Sequence, residues 1–450
     1  MKSLRRVVPV GLTAGLVCVS AATGLGASVG LSPAASSGLA LLITAAIFWM
    51  TEAVPLYVTS IGTLALALLW IEPQVDVGSG SFTAPFASNV ILLFLGGFTL
   101  SAGFKKLRID EQVARAVLLN AHGSYPLLVA AIMVVTAFLS MWLSNTATAA
   151  MMIAIAAPLL KEIPEGDRAK RGLILSIPVA ANIGGMGTPV GTPPNAIALQ
   201  SLQQAGQAPT FGQWMLIGIP VVIVLLIAGW GVVMLMYRGA PMRSKIPEAP
   251  RVRRDWRWAL VLSTTVLTVT LWLIGNRIGV QSGTAGLVPV ILLFATGILD
   301  VRDFRHLPWD VLVLMGGGLC LGVVIEHTGL ASWIVDGLPE GLSPLWIGAV
   351  LGSVACGLSC VMSNTAAANL LMPISIGLGV GFAQESTMVI ALCCSCAMVL
   401  PVSTPPNAIA FSSGELRVRD IIGVGLLMTA LGLALILTLG RWLMGVVLGG

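Results

Sequence analysis

The sequence predicts an all-α polytopic membrane protein: 11 transmembrane helices plus two re-entrant hairpins, arranged as two inverted-topology repeats. Three observations carry that prediction. The 450 residues are 56% hydrophobic and only 10% charged, where soluble domains carry roughly a quarter charged residues. Apolar stretches near the ~20 residues needed to cross a bilayer recur from end to end. Two polar motifs interrupt those stretches, and each occurs twice. Ser144-Asn145-Thr146 returns as Ser363-Asn364-Thr365, and Thr192-Pro193-Pro194-Asn195 returns as Thr404-Pro405-Pro406-Asn407.

Taken in order, residues 7–27 read as a first spanning helix. Their basic start resembles a signal peptide, but the apolar run exceeds the ~7–15 residues of a signal core. Residues 37–50, 54–71 and 89–104 are three further spans, the last containing Gly96-Gly97. Residues 105–120 alternate charges with Leu107, Ile109, Val113, Val117 and Leu118 at helical spacing, as in an amphipathic helix lying at the interface. Residues 127–160 are apolar but broken at Ser144-Asn145-Thr146, which makes two half-length helices meeting at a polar tip. Residues 172–199 are broken at the first Thr-Pro-Pro-Asn, and 214–237 are unbroken. The stretch 238–257 holds seven Lys or Arg and three prolines. It reads as a cytoplasmic linker that sets topology, with a lipid-headgroup patch as the alternative.

The second half follows the same plan. Residues 258–274, 284–299 and 311–329 are spans, the third containing Gly316-Gly317-Gly318. Residues 330–338 are a short amphipathic segment. Residues 345–382 form a second broken hairpin, 388–411 break at the second Thr-Pro-Pro-Asn, and 421–448 close the chain. Residues 189–198 and 401–410 are identical at nine of ten positions. The Gly-rich helices align at 91 and 311, the tips at 144 and 363, and the breaks at 192 and 404. Offsets of 220, 219 and 212 residues indicate two repeats of one unit.

Charge orients the scheme. With the N-terminus in the cytoplasm, the basic clusters at 105–108, 161–171, 238–257, 302–305 and 417–419 all fall inside, and the C-terminus lies outside. Arg277 and Arg441 are the exceptions. The first hairpin then enters from the cytoplasm and the second from outside, as in secondary transporters built on inverted repeats. The excess of positive charge is therefore a topology feature and not a nucleic-acid signal. The seven cysteines, Cys18 included, lie in apolar sequence without the loop-bracketing pairs of a zinc site, and read as small packing residues. No nucleophile–base set points to an enzyme.

The motifs have distinct chemistry. Prolines cannot continue a helix ladder, so carbonyls near Gly191 and Ser403 are freed, and carbonyls with hydroxyls suit a sodium ion. Ser, Asn and Thr cap helix N-termini, and a helix N-terminus attracts an anion. Two such tips would hold a small molecule with an anionic group at each end. No Lys or Arg lies in the hairpin cores or the Thr-Pro-Pro-Asn helices. A dianion held by amides and hydroxyls alone is costly in a low-dielectric site, which favours co-bound cations. His122, His306 and His327 fall near helix ends, as do Glu52 and Glu326, and these read as interfacial.

The motifs, their duplication and the helix plan resemble the divalent anion/sodium symporter family over almost the whole chain. The resemblance implies a homodimer in a cell (inner) membrane. Its scaffold would be 1–125 and 258–343, its elevator-like transport part 126–237 and 344–450, and 238–257 the linker. It implies one sodium site at Ser140, Ser144, Asn145 and Gly191, and another at Ser359, Ser363, Asn364 and Ser403. Substrate carboxylates would meet Asn145, Thr146, Asn364 and Thr365, with Thr192 and Thr404 nearby. The expected activity is sodium-coupled import of C4-dicarboxylates such as succinate, malate and fumarate. A sodium-independent exchanger, a sulfate carrier and an anion channel of the same fold are the alternatives.

Overall fold

The computed structural model describes residue 15 and residues 30–118, 124–164, 166–237, 255–337 and 343–449. The expected first span at 7–27, with Cys18, His122 and most of the basic linker, lies outside the described residues apart from Gly15. Among the described residues the chain is helical, with no strand. Eight helical segments are long and apolar enough to cross a membrane. One of them, Pro344–Val361, is the expected first limb of the second hairpin.

The helices are α1 (Pro33–Thr51), α2 (Leu56–Leu66, continued by a π turn over Ala67–Ile71), α3 (Asn89–Lys106) and α4 (Ile109–Leu118). Next come α5 (Tyr125–Ser140), α6 (Asn145–Glu162), α7 (Arg168–Gly184), α8 (Pro193–Gln204) and α9 (Phe211–Met236). The second half holds α10 (Trp256–Ile274), α11 (Ser282–Ala295), α12 (Val301–Arg305), α13 (Trp309–His327), α14 (Leu330–Asp336) and α15 (Pro344–Val361). It ends with α16 (Asn364–Gly377), α17 (Val380–Cys396), α18 (Pro405–Ser412), α19 (Val418–Leu435) and, after a second π turn over Ile436–Gly440, α20 (Arg441–Leu448).

Several ends have plain local causes. Ser32, Ser144, Ser343 and Ser363 each accept a backbone N–H three residues on, which satisfies one of the donors a helix start leaves open. The amphipathic stretch expected at 105–120 divides at Arg108, whose φ of +53° ends α3 and lets α4 turn away. The second hairpin ends at Gly377, earlier than expected. Gly379 has a φ of +84°, a conformation that glycine takes without a Cβ clash, and α17 starts just after it.

The chain forms two compact units. The first comprises Met1–Ile91, Ala196–Ala208 and Pro308–Cys394. Its core is α13, whose three glycines admit a different neighbour each: Phe86 against Gly316, Ser60 against Gly317 and Asn369 against Gly318. Any side chain at Gly317 or Gly318 would collide with its neighbour. The Leu314 carbonyl accepts from both Ser60 Oγ (3.3 Å) and Asn369 Nδ2 (3.1 Å), so the same stretch that loses side chains gains polar ties.

The second unit comprises Leu92–Asn195, Pro209–Leu307 and Ser395–Gly450. Its centre is α7, every residue of which from Gly172 to Gly184 is buried. A helix apolar all round belongs inside a bundle, and α7 packs on α5, α6, α9, α18 and α19. Two crossings depend on backbone touching backbone. Gly96 of α3 lies on Gly286 of α11, and Gly184 lies on the Ala137 backbone of α5. Ile109, Val261, Leu293, Ile298 and Leu299 close a smaller apolar cluster beside α4.

Candidate functional site

Each hairpin turns on its serine. In the first, α5 ends at Ser140, Ser144 takes an extended backbone, and its Oγ accepts from Ala147 N at 3.1 Å to open α6. In the second, Ser363 does the same for Ala366 N, also at 3.1 Å. A tip capped in this way presents the remaining first-turn N–H groups and the positive end of the helix dipole. Asn145 and Asn364 are half-buried at those first turns, Thr146 is exposed and Thr365 half-buried.

The tips differ one turn back. Ser140 is fully buried, with Oγ 2.7 Å from Asn145 Oδ1 and 2.8 Å from the Ala181 carbonyl. A hydroxyl has one proton. Both contacts are satisfied together when Asn145 turns its NH2 toward Oγ, an orientation set by the hydrogen-bond network. Ser359, the matching residue, is also fully buried and has Cys394 beside it. Asn364 Oδ1 is buried and has no hydrogen-bond partner among the described residues. Leaving such an oxygen unsatisfied costs about 1–3 kcal/mol, so this acceptor suits a cation or a donor from a ligand.

The two breaks are built alike, and the prolines do not sit where sequence reasoning put them. Helix α7 ends at Gly184 and α17 at Cys396, nine residues before Pro193 and Pro405 respectively. The chain departs from helix there, and the prolines open the next helices, α8 and α18. That is where a missing N–H does least harm. Two of the intervening carbonyls in each loop are taken by a side chain. Asn195 Nδ2 donates to the Gly185 and Thr188 carbonyls at 2.9 and 2.8 Å. Asn407 Nδ2 donates to the Met398 and Leu400 carbonyls at 2.9 and 3.1 Å. The following helix seals each loop with a glycine, Gly218 against Met186 O and Gly425 against Met398 O. Trp214 Nε1 adds a bond to Met186 O at 3.2 Å, and Thr429 Oγ1 one to Cys396 O at 2.7 Å.

Within the second unit, then, the first tip and both breaks lie together. Asn145 sits against the backbone of Gly185. Gly191 lies on the Gly185 carbonyl, an approach no side chain would allow. Asn182, buried on α7, donates to Thr404 Oγ1 at 3.1 Å and reaches Asn407 Oδ1 at 3.4 Å, so the helix leading into the first break holds the second. Thr192, Ser403 and Thr404 are buried. Ser403 Oγ closes on its own loop at Leu400 O, 2.7 Å. Ser359, Ser363, Asn364 and Thr365 belong to the first unit.

Sequence reasoning left Asn182, Asn195 and Asn407 out of the site. Two of them stand in the repeated tetrapeptide itself, and all three are amides inside apolar sequence, where a polar side chain needs a partner. The acids and histidines fall at helix ends. Glu52, Glu326 and His327 are exposed, and the His306 ring contacts the Arg302 carbonyl at 2.6 Å on the surface.

A family model described as a citrate transporter (CitMHS) matches residues 46–392. The chain belongs to this family, of the divalent anion/sodium symporter type. It is a multi-pass transporter, not an enzyme. An uncharacterized transporter of Haemophilus influenzae is 32% identical over 437 residues, covering 91% of this chain and 92% of the relative. The sodium-dependent dicarboxylate transporter SdcS of Staphylococcus saprophyticus is 32% identical over 454 residues, covering 91% and 86%. Two solved transporters share the fold at low identity. Alcanivorax borkumensis YdaH has a TM-score of 0.56 at 13% identity, covering 86% of this chain and 98% of its own. Neisseria gonorrhoeae MtrF has 0.57 at 12%, covering 89% and 96%.

Proposed function

We propose that this symporter-family chain imports C4-dicarboxylates, such as succinate, malate and fumarate, with sodium as the coupling ion. The observation that carries the reading is the pair of serine-capped tips, each placing an Asn and a Thr at a helix N-terminus with no Lys or Arg beside them. One tip supplies amide donors for one carboxylate and the other for the second. In the low-dielectric interior the two negative charges need neutralising, and sodium does this. Ser140, Ser144, Asn145 and the Gly191 carbonyl form one sodium site. Ser359, Ser363, Asn364 and the Ser403 carbonyl form the other. The partnerless Asn364 Oδ1 supports the second. The kinship with a sodium-dependent dicarboxylate transporter points the same way.

Substrate contacts fall to Asn145, Thr146, Asn364 and Thr365. Thr192 and Thr404 are nearby, each at the end of a clamped break, just before the proline that opens the next helix. Residues 126–237 and 344–450 move as an elevator against a dimeric scaffold of 1–125 and 258–343. The repeats are inverted, with the N-terminus in the cytoplasm of an inner-membrane protein and the C-terminus outside. The description of the family model favours one second reading, a tricarboxylate such as citrate as cargo. Asn145→Ala and Asn364→Ala should each abolish uptake of labelled succinate in proteoliposomes while the protein still elutes as a folded species. Transport retained in both would make the tips structural only. Citrate competing better than malate would move the cargo to the second reading.

A further inference from the structure

Where the end of α9 and the starts of α7 and α19 line one place, the second unit holds a recess of about 430 Å³ remote from the tips in sequence. Its floor is a closed network. Arg171 and the Tyr237 hydroxyl both donate to Asp420 Oδ1, at 3.3 and 3.1 Å, and the Arg417 backbone N–H donates to Oδ2 at 3.0 Å. Asp420 is buried and fully committed, so it neutralises Arg171 and fixes the floor. Above it stand Arg168 and Arg419, both exposed, neither paired with a carboxylate among the described residues. Lys170 is taken by Glu415, and Asp167 by its cap on Ala169 N. Among the described residues the recess therefore carries two guanidinium groups not paired with a carboxylate, a chemistry matched to phosphate oxygens.

What adjoins the arginines is apolar. Leu235 is 75% exposed at the end of α9. On α19, Val418, Ile422 and Leu426 are exposed at intervals of four residues, one stripe running away from Arg419. A free phosphate has no use for that stripe, whereas an acyl chain does. We propose that this recess binds the phosphodiester headgroup of an anionic phospholipid between Arg168 and Arg419, with an acyl chain along Leu235 and the α19 stripe.

The test uses the full chain in detergent, titrated with dioleoylphosphatidylglycerol or dioleoylphosphatidylcholine, with bound lipid counted by native mass spectrometry. The wild-type chain should prefer the anionic lipid by about tenfold or more, and millimolar inorganic phosphate should not displace it. The R168Q/R419Q double variant should bring the two lipids close to parity. No preference in the wild type, or an unchanged preference in the double variant, overturns the proposal. Displacement by phosphate overturns it in favour of a free-anion site.

Discussion

A single amide decides whether each break can exist inside a membrane. Non-helical backbone at that depth survives only where its polar groups are met. Asn195 and Asn407 each meet two carbonyls with one NH2 group. Removing either side chain strands two buried acceptors. Asn195→Ala or Asn407→Ala should therefore cost about 2 kcal/mol or more, read as a lower melting point in detergent. An unchanged melting point would mean that other donors satisfy the loops. A second residue gives a pH effect. Asp110 is buried on α4, and burial, against the bond from Glu111 N, raises its carboxyl pKa. A raised acid contributes stability fully present below its unfolded pKa and lost as pH rises through the folded value. Asp110→Asn keeps the acceptor for Glu111 N without the charge. The variant should be more stable than wild type at pH 8, with the difference shrinking toward pH 4 in thermal unfolding. A pH-independent difference would contradict the assignment.

At the scale of elements, close helix contacts and caps carry the hairpins and breaks. Gly425 rests on the Met398 carbonyl with no space for a methyl. Gly425→Ala should force α19 from the second break and cost about 1–3 kcal/mol, with loss of uptake before loss of folding. Uptake and melting both unaffected would show that α19 gives way freely. Much of this level was readable from the chain. Ser144 and Ser363 announce helix starts by residue type, and the duplicated Thr-Pro-Pro-Asn marks two breaks. The position and cause of the breaks were not readable. Pro193 and Pro405 look like breakers in a one-dimensional reading, yet the helices end nine residues earlier, at Gly184 and Cys396. The reason is tertiary: Gly184 must lie on Ala137, and Asn195 must reach back seven and ten residues. Asn182 was hidden for the same reason, since its partner Thr404 is distant in sequence.

At the scale of the whole molecule, the 10% of charged residues told of a membrane protein, and the family match agrees. The two compact units could not be drawn from sequence, because each gathers three separate stretches of chain. Hydropathy reports which segments are apolar, not which of them pack together. The central proposal at this scale is coupling: a dianion bound by amides and hydroxyls without Lys or Arg would need cations beside it. The most direct measurement is uptake of labelled succinate into proteoliposomes holding the purified chain, with an inward sodium gradient and again with potassium or choline in its place. Saturable accumulation that needs the sodium gradient is the predicted result. Equal uptake without sodium would contradict it.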